Sequence, residues 1–100
     1  MAEEQPQALS RDRALRLIRT LAADSANIVI VNHARLRGRQ RQISPRQIQD
    51  CCLKGTITEG PFVNAHGHWQ MNLYRHAAGE AMTCVVAIDW PSRLIIVTVY

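Results

Sequence analysis

The apolar residues change period at Gly55, and that change constrains the fold more than any other feature of the chain. Before Gly55 they recur at helical spacing: Ala14, Leu17, Ile18, Leu21 and Ala22 form one stripe, with Arg11, Arg13, Arg16 and Arg19 outside it. Ile48, Cys51 and Cys52 form a second inward-facing set. After Gly55 they alternate, so that Trp69, Met71 and Leu73 fall on one face of an extended segment and Gln70, Asn72 and Tyr74 on the other. Residues 82–88 and 94–100 are dense apolar runs joined by Asp89-Trp90-Pro91-Ser92, a turn signal, which predicts an antiparallel pair at the centre of a sheet. Helices first and strands later is an α+β arrangement, with helices covering one face of a four- or five-stranded sheet.

Boundary signals refine this order. Ser10 is placed to cap a helix over residues 11–23, which Ser25, Ala26 and Asn27 end. Residues 28–31 read as a short β-branched strand, apolar on both faces and therefore expected to be covered by other elements. Ser44 as N-cap, Pro45 at the first helical position and Gln47 two residues later make a capping box, flanked by Ile43 and Ile48 at the staple positions. Gly55 is expected to end that helix as a left-handed residue. A short strand over residues 56–59 is closed by Gly60-Pro61, and Ala78-Gly79-Glu80 marks a turn. The expected chain is thus a leading helix, a strand, a two-helix layer and an antiparallel β-meander. One hundred residues make a single domain, with residues 1–9 expected to be a disordered tail.

Residues 33–44, read His-Ala-Arg-Leu-Arg-Gly-Arg-Gln-Arg-Gln-Ile-Ser, carry the functional signal. On a helix, residues four apart share a face, so His33, Arg37 and Arg41 form one ridge while Arg35 and Arg39 point elsewhere. A strand would align Arg35, Arg37, Arg39 and Arg41, but the opposite face of Leu36, Gly38, Gln40 and Gln42 gives little to bury. Between His33 and Gly55, Arg35, Arg37, Arg39, Arg41, Arg46 and Lys54 stand against Asp50 alone, so this stretch accounts for the formal charge of +4. A polyanion such as RNA, or an acidic partner protein, is the natural complement. The bland alternative is a solvated helix face.

Thr98 and Tyr100, two apart on the last strand, share a face, and Gln70, Asn72 and Tyr74 make a polar row that could meet an unstacked base or simply face water. Adjacent Cys51 and Cys52, with Cys84, read as reduced, buried thiols. His66-Gly67-His68 lacks a second ligand pair at zinc spacing, so no metal and no cofactor is expected. The first seven residues lack the basic-then-apolar order of a secretory signal, and no apolar run approaches the ~20 residues of a membrane span, which gives the expectation of a cytoplasmic protein that meets no membrane.

The pattern H-A-x-x-R-x-x-x-R-x-I-S over residues 33–44, the helix ending at Gly55, Thr-Ile-Thr-Glu, and the closing Ile-Ile-Val-Thr-Val-Tyr resemble a family of short bacterial and phage domains of unknown function. That family is grouped with RelE-like toxins and with metal-independent ribonucleases of the barnase and colicin type. The resemblance runs from about Leu17 to Tyr100. It implies a RelE- or barnase-like fold, puts the motif histidine on His33, its arginines on Arg37 and Arg41, and its last-strand threonine and aromatic on Thr98 and Tyr100. The sequence departs at Gly38, where the family usually has a methionine packed beneath the helix, so a shorter or looser helix is implied.

Two functions follow as expectations. One is a toxin-like endoribonuclease in which His33 is the acid or base, Arg37 and Arg41 hold the phosphate, and Thr98 and Tyr100 position it, Tyr100 also being a candidate proton donor. Arg35, Arg39, Arg46, Lys54, Gln70 and Tyr74 would contact the rest of the RNA, and an acidic antitoxin-like protein would be a partner. The other is a non-catalytic module that uses the same basic surface to hold nucleic acid or an acidic protein. A small oligomerising or accessory protein remains a third.

Overall fold

The first helix begins where the Ser10 hydroxyl accepts the N–H of Arg13 at 3.1 Å, meeting one donor that a helix start leaves free. The computed structural model describes residues 4–100 and places α1 at Arg11–Ala22, β1 at Ile28–Ile30, α2 at Asn32–Gln40, α3 at Pro45–Lys54, β2 at Thr56–Val63, β3 at Trp69–Ala77, β4 at Glu80–Asp89 and β5 at Arg93–Val99. The expected α+β class and element order are present. The Ser44 capping box is complete: Ser44 Oγ accepts the Gln47 N–H at 3.1 Å and the Gln47 side-chain oxygen accepts the Ser44 N–H at 2.7 Å.

The five strands lie in the order β1-β5-β4-β3-β2. β2 to β5 form the antiparallel meander, whereas β1 pairs with β5 in parallel, so the sheet is mixed. Met71 and Leu73 of β3, Cys84, Val86 and Ile88 of β4, and Leu94, Ile96 and Val99 of β5 bury their side chains with Ile18 of α1 and Ile48, Cys51 and Cys52 of α3. Those strand residues alternate with half-buried or exposed ones on β3, as a sheet covered on one face requires. Arginines outside the α1 stripe tie that helix to β2: Arg11 Nε donates to the Gly60 carbonyl at 2.9 Å and Arg19 to that of Gly55 at 3.1 Å. Arg13 instead lies 5.5 Å from the centre of the Trp90 ring.

Three local expectations are corrected. β1 is an edge strand, and Val29 is 38% exposed, because the helices cover one face only. β2 does not stop at Glu59: register shifts around Gly60 carry it on to Val63. Gly60, at φ 90°, lies where a Cβ would come within 2.7 Å of the Gln70 carbonyl oxygen, so glycine is what lets the bulged strand stay paired. Gly55 is extended, at φ −72°, not left-handed; it is needed because a Cβ would meet the Cys51 carbonyl at 2.5 Å and the Tyr74 carbonyl at 3.0 Å. Ahead of α1, Leu9 is buried, the Trp69 indole N–H donates to the Pro6 carbonyl at 2.9 Å and Gln5 to that of Gly67 at 2.9 Å. Residues 1–3 lie outside the described residues.

Candidate nucleic-acid interface

α2 starts directly after β1, and its buried residues are Ala34 and Gly38, four apart on one face. A Cβ on Gly38 would lie 3.9 Å from Val99 Cγ2 and 3.0 Å from the Ile43 carbonyl oxygen, so the helix rests on β5 at close range. Its end is a Schellman closure: the Ile43 N–H donates to the Gly38 carbonyl at 2.7 Å and the Gln42 N–H to that of Arg39 at 3.2 Å, with Gln42 left-handed at φ 57°. The helix therefore runs to Gln40 with glycine at position 38, and it is not shortened there.

This geometry sets where the arginines stand. His33 is exposed and Arg37 half-buried on one shoulder of the Ala34–Gly38 seam, while Arg35 and Arg39 are exposed on the other. Arg41 continues the first shoulder but lies one residue past the helix as its C-cap, at φ −96°. Arg35 Nε donates to the Ile30 carbonyl at 3.1 Å. Among the described residues, the ion pairs are Lys54 with Asp50 at 3.5 Å, Arg75 with Asp50 at 3.0 Å and Arg93 with Asp89 at 3.9 Å. Arg35, Arg37, Arg39, Arg41 and Arg46 therefore stand without a carboxylate partner among those residues, whereas Lys54 shares Asp50 with Arg75.

Thr98 and Tyr100 flank Val99 in sequence, and Val99 is the residue beneath Gly38. Alternation sends them to the face of the sheet away from α2. There the Asn72 amide donates to Tyr100 Oη at 3.3 Å and to Glu59 Oε2 at 3.3 Å, making a Glu59–Asn72–Tyr100 chain across the open face. Glu59 was not singled out by sequence reasoning; its register with Asn72 across β2 and β3 is the signal, and that needs the sheet order. Tyr74 is exposed on the same face, and Gln70 accepts the Asn64 amide at 2.9 Å. Among the described residues, no hydrogen bond joins His33, Arg37 or Arg41 to Thr98 or Tyr100. The two groups meet at the α2–β5 seam from opposite sides of the last strand.

The thiols belong to the core. All three are free and buried. Burial pushes Cys52 up to about 12, and Cys84, hydrogen-bonded to Cys51 and buried, is also pushed up, so neither is a thiolate nucleophile at neutral pH. His66 and His68 lie in the β2–β3 loop, where the Asn64 side-chain oxygen accepts both backbone N–H groups at 2.9 and 3.0 Å. Among the described residues, no three or more His, Cys, Asp or Glu residues gather to hold a metal ion, and no helix is long and apolar enough to cross a membrane.

Residues 30–100 match the model of a family described as Domain of unknown function (DUF4258), a span that takes in α2, α3 and every strand of the meander. The chain belongs to the DUF4258 family. No curated protein and no solved structure matches it. In DUF4258 terms, His33, the arginines of α2 and the Thr98–Tyr100 pair all lie within the matched residues, whereas α1 lies before them.

Proposed function

We propose that this DUF4258 domain is an RNA-directed, metal-independent endoribonuclease of the toxin type. The observation that supports the reading is an arginine shoulder with no ion-pair partner among the described residues, packed over β5. RNA supplies its own nucleophile. A base removes the 2′-OH proton, the oxygen attacks phosphorus, and an acid protonates the departing 5′-oxygen, leaving a 2′,3′-cyclic phosphate and a 5′-OH. His33 takes the acid or base role, and Arg37 and Arg41 hold the phosphate as negative charge builds on it. Thr98 and Tyr100, on the other face of β5, hold the RNA away from the scissile phosphate, and water serves as the second proton-transfer group. The resemblance that the residue 33–44 pattern suggests to RelE-like toxins and barnase-type ribonucleases is in keeping with this reading. Incubating pure protein with RNA in EDTA and analysing the new ends for 2′,3′-cyclic phosphate tests the reaction.

A second reading is favoured by one observation: Thr98 and Tyr100 leave β5 on the face away from α2. The arginine shoulder then binds RNA without cleaving it, and Tyr74 and Tyr100 serve as stacking surfaces on the open sheet. Salt-dependent RNA binding with no new ends in EDTA supports that reading against the first.

A further inference from the structure

The other shoulder of α2, bearing Arg35 and Arg39, borders a groove between α2 and α3 that the proposed reaction does not use. Its floor is apolar, made by Ala34, Ile43, Pro45 and Ile48, and its volume is about 220 Å³. That is below the range of about 300–1,000 Å³ common for small-molecule sites, and it suits one large side chain better than a metabolite. Nothing in the groove is anionic, and the exposed Arg35 and Arg39 at its rim have no carboxylate partner among the described residues. An apolar slot with two guanidinium groups at its lip, Arg39 and an Arg35 that gives only its Nε–H to the Ile30 carbonyl, is complementary to an aliphatic or aromatic side chain flanked by carboxylates.

We infer that the α2–α3 groove is a docking site for an acidic segment of a partner protein, which inserts one apolar anchor between the helices and pairs its carboxylates with Arg35 and Arg39. RNA fits the groove less well, because its bases stack on flat aromatic surfaces and the floor is aliphatic. The site stands apart from His33 and Arg37 on the opposite shoulder, so it does not depend on the ribonuclease reading.

The test uses the full chain with ¹³C-labelled isoleucine methyl groups and a fluorescein-labelled helical peptide that repeats Glu-Leu-Glu-Glu-Ala. Expected are saturable shifts of the Ile43 and Ile48 methyls, with Ile95 on the open face and Ile88 in the core unmoved. Replacing leucine by serine in the peptide should abolish binding, and the double variant R35E/R39E should weaken it by about tenfold or more. The unshifted core methyls show directly that the variant is folded. Equal binding of the serine peptide, shifts centred on Ile95, no binding at about 1 mM peptide, or an RNA oligonucleotide that shifts the groove methyls as strongly as the peptide would each overturn the proposal.

Discussion

Gly38 lies over Val99 with only 3.9 Å between the position of a Cβ and Val99 Cγ2, and the same Cβ would stand 3.0 Å from the carbonyl oxygen of Ile43. The second contact decides the consequence of a substitution. Ile43 is held by its own N–H bond to the Gly38 carbonyl at 2.7 Å, so its carbonyl has little room to give. Alanine would gain about 1 kcal/mol of helix propensity but meet an overpacking cost of about 1–3 kcal/mol. Gly38→Ala is therefore expected to lower stability by about 1 kcal/mol, read from the urea midpoint. An increase would show that the Schellman turn is looser than its hydrogen bonds indicate.

Among the described residues, two other than glycine adopt the left-handed conformation, Gln42 at φ 57° and Ala78 at φ 53°. Gln42→Gly should raise stability by about 0.5–1 kcal/mol, since the strain of about 1–2 kcal/mol at that position exceeds the extra entropy of an unfolded glycine. Ala78→Asn should act in the same direction, because Asn-Gly suits the tight turn that Ala78 and Gly79 make between β3 and β4. Thermal unfolding of the two variants checks both.

Cys52 gives a pH prediction. Burial raises its thiol to about 12, whereas an unfolded thiol ionises near 8.5. Below the unfolded value both states hold the proton and the contribution to stability is complete. Between the two values the unfolded chain releases a proton that the native state keeps, so stability falls as pH rises, by up to about 1.4 kcal/mol per pH unit. Urea midpoints measured from pH 8 to 10 should fall less steeply for Cys52→Ala than for wild type. Parallel slopes would mean that the thiol is not protected.

How much of this was legible in the sequence varies by element. The capping box at Ser44 and the alternation of Trp69, Met71 and Leu73 identified α3 and the buried face of β3, because each rests on a local rule that packing did not override. The roles of the glycines were not legible. Gly55 and Gly60 serve close approaches to the Tyr74 and Gln70 carbonyls across β3, and a distance between strands has no trace in local spacing. For the same reason the sequence placed β1 under cover, although its parallel pairing with β5 leaves it at the sheet edge. At the candidate site, helical spacing aligned His33 with Arg37, and Arg41 follows them just past the helix end as its cap. The Glu59–Asn72–Tyr100 chain joins three strands and needed the full register.

The basic shoulder predicts how RNA binding responds to salt. Each arginine that neutralises a phosphate releases a counterion, so Arg37→Ala should reduce the slope of log K against log salt by about one, as should Arg41→Ala. Lys54→Ala should change it less, since Lys54 is paired with Asp50 at 3.5 Å. Fluorescence anisotropy of a labelled RNA at several salt concentrations gives the three slopes.

The proposed reaction meets its most direct test in the rate of RNA cleavage in EDTA by wild type, His33→Ala and Tyr100→Phe, each checked for fold by circular dichroism. His33 is exposed on α2, so its loss should leave the fold intact while slowing cleavage roughly 10²- to 10⁴-fold, the range expected for an acid–base group. Tyr100→Phe keeps the ring and removes the hydroxyl that meets Asn72 on the face away from α2, so it should leave the cleavage step unchanged and serves as the control. Wild-type cleavage that yields 2′,3′-cyclic phosphate ends and is lost in folded His33→Ala is the predicted result. Cleavage unchanged in folded His33→Ala, or wild-type protein that binds RNA and leaves it intact, would contradict it.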